Sequence, residues 1–100
     1  MEGIKLDSKD DKVRMEDVTL FAELLEKSRG LIGKARRQIS RELGVDVSMI
    51  DSWERSITSP SENRLPAIAK AYGIPLEEVQ RDLNVSKAAR QMEKDLRKPP

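Results

Sequence analysis

Two clusters of side chains near the middle of the chain have the types and the spacing to act on a polyanion. Lys34, Arg36, Arg37 and Arg41 form a basic run with no acid among them, although the first thirty residues are net acidic. Further on, Val47, Ser48, Asp51, Ser52 and Arg55 share one side of a helix, with Met49, Ile50 and Trp53 on the other. Cationic side chains neutralise phosphates, and phosphate contacts supply affinity and register. A short helix with one packed face and one face of small or polar residues can enter a groove. There, hydroxyls donate or accept at base edges, a methyl surface meets the thymine methyl, and a carboxylate accepts from cytosine N4.

The elements that must hold these groups follow from the apolar spacing. Ala35, Ile39 and Leu43 recur every four residues and place one helix, starting at Lys34 or Ala35, ahead of Gly44. Gly44 stands where the chain leaves that helix and needs positive φ. Asp46 is placed to cap the next helix, which carries Trp53 as a core residue opposite the polar face. Residues 36–55 therefore read as a helix-turn-helix.

Around that unit the pattern is helical throughout. Val18, Phe21, Leu24, Leu25 and Ser28 define a first amphipathic helix over 16–29, ended by Gly30, with Leu31 and Ile32 as apolar anchors in the connection. After the turn-rich segment 56–61, a helix capped by Asn63 carries Pro66 in its first turn, where no N–H is needed. Leu65, Ile68, Ala69 and Tyr72 are its buried stripe, Tyr72 with its hydroxyl at the surface, and Gly73 is its C-cap. A fifth helix opens at Pro75, with Leu76, Val79 and Leu83 inside; Asn84 either breaks it or relays it. Val85, Ala88, Ala89, Met92 and Leu96 define a sixth, thinly amphipathic helix. That helix suits weak docking on the domain, an apolar seam for a second copy, or a basic arm through Lys87, Arg90, Lys94, Arg97 and Lys98.

Composition bounds the rest. One hundred residues make one domain with a modest core. Charged residues are 37% of the chain, yet the net charge is only +1, so distribution carries more than the total. There is no cysteine and no histidine, which excludes disulfides, the common zinc sites and imidazole chemistry. No nucleophile–base pair, metal cluster or phosphate-cradling glycine loop is present, so neither an enzyme, a cofactor nor a small-molecule substrate is expected. No apolar run approaches the roughly 20 residues of a membrane span. The domain plan is a flexible polar N-terminal arm at 1–15, a helix-turn-helix domain at 16–84, and a C-terminal helix and tail at 85–100. Within the arm, Lys5, Lys9, Lys12 and Arg14 are placed to track a groove, against Asp7, Asp10 and Asp11.

Residues 18–83 resemble the lambda-repressor-like, Cro/C1-type (XRE) helix-turn-helix family. The resemblance is carried by ELGV at Glu42–Val45, Ile50 beyond it, WER at Trp53–Arg55, Pro60-Ser61, and AIAKAYGIPLEEV at Ala67–Val79. Departures are Ser40 for a usual Ala, Arg36 for a usual Gln that binds phosphate, Ser56 for a frequent Gly, and a longer link after Gly30. The family implies an all-α, compact five-helix domain, here with an additional C-terminal amphipathic helix. It also implies a cytoplasmic regulator of prokaryotic or phage type, with the 46–55 helix in the major groove. Carried over by position, Val47, Ser48 and Ser52 read bases; Asp51 and Arg55 share their face. The phosphate candidates are Lys34, Arg36, Arg37 and Arg41, with Thr58, Asn63 and Arg64 beside them. A homodimer on double-stranded DNA, paired through the 85–97 helix and acting as a repressor, is the expected form. The alternative is a protein-binding module on the same fold, an antitoxin or anti-repressor partner, which uses the acids Asp46, Asp51 and Glu54.

Overall fold

In the computed structural model the described residues are 15–97. The expected N-terminal arm, with its candidate groove-tracking cations, lies outside them apart from Met15, as do Lys98 and the terminal prolines. The described chain is all-α. Helices α1 (Met15–Val18), α2 (Leu20–Ile32), α3 (Arg36–Leu43) and α4 (Val47–Glu54) are followed by a 3-10 turn at Glu62–Arg64. Helices α5 (Leu65–Tyr72) and α6 (Leu76–Arg97) complete the fold.

The expected first helix is broken at Thr19 and runs on past Gly30. Gly30 stays helical at the cost of some backbone entropy. The left-handed residue that ends α2 is instead Gly33, at φ 70°, and the Lys34 amide closes the turn on the Arg29 carbonyl at 3.2 Å. The long link after Gly30 is thus two more helical residues, Leu31 and Ile32, and the Gly33 cap. Leu31 and Ile32 are not anchors, since Leu31 is 79% exposed and Ile32 is also exposed.

The core gathers Phe21 and Leu25 of α2, Ile39 of α3, Ile50 and Trp53 of α4, and Leu65, Ile68 and Tyr72 of α5. Val79 and Leu83 of α6 close it. Most of the expected stripes are therefore buried, with two exceptions on the motif helices. Met49 is exposed beside Ile50 and Trp53, and Ala35 sits exposed at the head of α3.

Asn84 relays rather than breaks, so the fifth and sixth expected helices are one. Val79 and Leu83 set the phase of α6 and turn Ser86 and Ala89 inward, whereas Leu76, Val85, Met92 and Leu96 face out. Ser86 has a specific task. Its Oγ accepts from the Phe21 amide at 3.0 Å and donates to the Asp17 carbonyl at 2.9 Å. One hydroxyl thereby satisfies an orphan N–H at the start of α2 and ties α6 to the α1–α2 junction. The start of α5 also differs from expectation. Asn63 lies within the 3-10 turn, not at a helix cap, and Ser61 donates to its Oδ1 at 2.6 Å. Pro66 does fall in the first turn of α5.

Candidate nucleic-acid interface

Helices α3 and α4 pack on each other through Ile39, Ile50 and Trp53, and the turn between them is set by a single residue. Gly44 has φ 69°, and its amide and that of Val45 both bond to the Ser40 carbonyl. A Cβ at Gly44 would meet nothing within 4 Å. The requirement for glycine is therefore the left-handed backbone and not space. Ser40 replaces the usual small residue without crowding, because its hydroxyl donates to the Val45 carbonyl.

On α4 the expected faces hold in outline. Val47 and Ser48 are exposed, Asp51 and Ser52 are half-buried, and Arg55 is exposed. Asp46 occupies the N-cap position with extended backbone, and its carbonyl accepts from the Met49 amide at 2.9 Å. Its carboxylate makes no capping bond, so the expected cap is a backbone cap alone. Ser48 and Ser52 line a shallow groove together with Thr58, Ser61 and Arg64. The structure thus brings two base-reading candidates beside two of the phosphate candidates. Asn63 is exposed nearby on the 3-10 turn.

The basic run divides into two kinds of residue. Arg37 and Arg41 are exposed and form no ion pair or hydrogen bond with the described residues. Lys34 is tied, donating to Glu42 at 2.8 Å and to the Ala71 carbonyl at 2.9 Å. That contact holds the Glu42 carboxyl below its ordinary range. Arg36 is tied more firmly. Its Nε donates to Glu54 Oε1 at 2.9 Å and its Nη1 lies 3.2 Å from Asp51 Oδ1.

Glu54 is the centre of a network that sequence spacing did not expose. Expected on an acidic outer face, it is only 6% exposed. Arg29 grips it with two bonds, Nε to Oε2 at 2.8 Å and Nη2 to Oε1 at 2.9 Å. The Tyr72 hydroxyl, expected at the surface, donates to Oε2 at 2.8 Å. Burial alone pushes the Glu54 carboxyl up, but the bonds from Arg29, Arg36 and Tyr72 outweigh it and hold it below the usual carboxylate range. Burial and the adjacent carboxylate push the Tyr72 phenol well above its usual range. The bond to Glu54 raises Arg29. A signal was present: Glu54 lies four residues after Ile50, on the side that faces the core.

Beyond α4 the chain turns at Ser56, whose φ of 64° is the left-handed value that the frequent glycine adopts freely. Its hydroxyl donates to the Val18 carbonyl at 3.2 Å. Arg90 of α6 donates to the Ser56 carbonyl and hydroxyl and, at 3.1 Å, to Ser59 Oγ. The C-terminal helix thus clamps the turn that follows the candidate reading helix.

Among the described residues no helix is long and apolar enough to cross a membrane, and no cluster of acidic side chains could hold a metal. No curated protein and no solved structure matches the chain significantly. A family model described as helix-turn-helix matches residues 25–79, more than half of the chain and the whole of the α3–α4 unit. The chain belongs to the Cro/C1-type (XRE) helix-turn-helix family of DNA-binding transcriptional regulators.

Proposed function

We propose that this chain is a sequence-specific repressor that binds duplex DNA as a homodimer, with α4 in the major groove and α3 crossing the backbone. The observation that carries the reading is the pairing of an open polar edge on α4 with unopposed cations on α3. Arg37 and Arg41 are exposed without partners among the described residues, beside a helix whose Val47 and Ser48 are also exposed. Thr58, Asn63 and Arg64 extend the contact along a phosphate strand. Lys34 and Arg36 have internal partners and add mainly to the local field.

One short helix reads few bases, which favours two copies on half-sites about one helical turn apart. Met92 and Leu96, 46% and 60% exposed and one turn apart on α6, offer the pairing seam. Repression requires only that the bound pair block the DNA it covers. The protein-binding alternative keeps only Asp46 of its three acids as an open carboxylate, because Glu54 is buried and Asp51 is held by two arginines.

The test is binding to random duplex across a salt series, for the wild type and for Arg37→Glu. Wild type should bind at low salt with a steep log–log slope, and the variant should bind more weakly with a slope reduced by about 0.9 or more. Absence of binding at low salt, or indifference to the substitution, would sink the reading. Selection from a random oligonucleotide pool then gives the operator, whose symmetry reports the dimer.

A further inference from the structure

Asp51 stands in the middle of the outward face of α4, where neither stability nor phosphate affinity accounts for a carboxylate. Asp is a poor residue for a helix interior, and a bare negative charge beside DNA phosphates opposes binding. Exposed ion pairs contribute little to folding. Its contacts give the account. Asp51 Oδ1 accepts from Arg55 Nε at 3.1 Å and lies 3.2 Å from Arg36 Nη1. Arg36 is itself fixed at 2.9 Å to Glu54, whose side chain is fully buried. Arg55 is therefore the last link of a chain rooted in the core. It is also the loosest link, 64% exposed and held to the described residues by Asp51 alone.

We propose that Asp51 is a specificity-determining positioning residue, which holds Arg55 along α4 for base contact and withholds it from indiscriminate phosphate contact. This rests on the DNA-binding reading of α4. One Arg55 nitrogen is occupied by Asp51, and the two terminal nitrogens of a guanidinium suffice for a bidentate contact with guanine O6 and N7. Released from Asp51, the same flexible cation reaches any phosphate nearby and gains affinity without gaining information. Arg36 does not follow it, because Glu54 still holds its Nε.

The experiment compares binding to the operator selected with wild type and to random duplex, across a salt series, for D51N, D51E, R55Q and D51N/R55Q. Thermal melts confirm that each variant is folded. D51N should raise random-duplex affinity about three- to tenfold and steepen the log–log salt slope by about one, as one added phosphate contact requires. Operator affinity should change less, so the ratio of specific to random binding falls. D51E, which keeps the carboxylate, should restore most of that ratio. In the R55Q background the effect of D51N should vanish. An unchanged ratio in D51N overturns the proposal. So does an equal gain with and without Arg55, which makes Asp51 a simple repellent of phosphate. So does a loss confined to one C·G pair of the operator, which makes Asp51 itself the reader. A wild type that binds no duplex at low salt overturns the DNA reading and the proposal with it. The other three outcomes leave the DNA reading intact.

Discussion

The two ends of α4 are built on different physical terms. At the C-terminal end Trp53 and Glu54 are buried, Asp51 and Arg55 are paired, and Ser56 is clamped from α6 by Arg90. At the N-terminal end Val47, Ser48 and Met49 are exposed, and the side chains of Asp46 and Ser48 have no partner among the described residues. In a helix-turn-helix the N-terminal residues of the second helix meet base edges. On the proposed reading the locked end sets the angle of the helix, and the open end is left free to bind. Substitutions at the two ends should accordingly separate, with stability lost at one and binding altered at the other.

The largest effect should come from Trp53→Ala, which empties the centre of the core and costs about 3–5 kcal/mol. For a domain of this size that lowers the melting temperature by well over 10 °C, at about 4–8 °C per kcal/mol. A melt barely changed would show that the two faces of α4 are assigned the wrong way round. Glu54→Gln comes next. It leaves Arg29 and Arg36 without their buried counter-charge, which should cost about 3 kcal/mol. The same variant tests a pH window. Glu54 is held below the ordinary glutamate value of 4.5 by its bonds, so it binds protons less readily folded than unfolded. Its contribution is complete above that value and is lost as pH falls through the lowered folded one. The stability gap between wild type and Glu54→Gln, measured by denaturant titration, should narrow on going from pH 6 toward about pH 3. A gap that widens in acid would contradict the charged network.

Apolar period and turn residues were enough to find the motif, and they could not find the locked end. Ile39, Ile50, Trp53, Leu65, Ile68 and Tyr72 repeat at helical spacing, and all are buried. Periodicity reports which face of one helix is inside, and the core is the sum of those faces. The ion network is different in kind, because Arg29, Arg36 and Tyr72 lie 25, 18 and 18 residues from Glu54. Partners that distant are chosen by packing, so a basic run counted along the chain overstates the cations left without internal partners. Lys34 shows the same error, since its partner Ala71 belongs to α5. Continuity of α6 was ambiguous for a local reason: Asn costs a helix only a few tenths of a kcal/mol, so Asn84 is weak punctuation.

A smaller effect should appear at the clamp. Ser56 holds a left-handed backbone, which costs a non-glycine residue about 1 kcal/mol, and its hydroxyl offsets this by bonding Val18 and receiving Arg90. Ser56→Ala keeps the backbone cost and loses the bonds, for a net loss of about 1–2 kcal/mol. Ser56→Gly loses the bonds but relieves the backbone, and should fall within about 0.5 kcal/mol of wild type. Chemical denaturation of the three proteins should rank serine and glycine together above alanine. Alanine equal to glycine would mean that the backbone at this turn carries no strain worth relieving.

The smallest effect should be at the open end, and its smallness is the point. Replacing an aspartate N-cap by alanine commonly costs about 1 kcal/mol, because the carboxylate satisfies an orphan amide of the first turn. Asp46 has the N-cap backbone without that bond. What remains is the attraction of a negative charge to the helix dipole, about 0.3–1 kcal/mol at low ionic strength and less in salt. Asp46→Ala should therefore lose no more than about 0.5 kcal/mol in low salt, and the difference should disappear as salt is raised to screen the dipole. A loss above about 1 kcal/mol that persists in high salt would mean that the carboxylate swings in to cap α4. The N-terminal end would then be held from within, and the contrast between the two ends of the helix would shrink to the ion network alone.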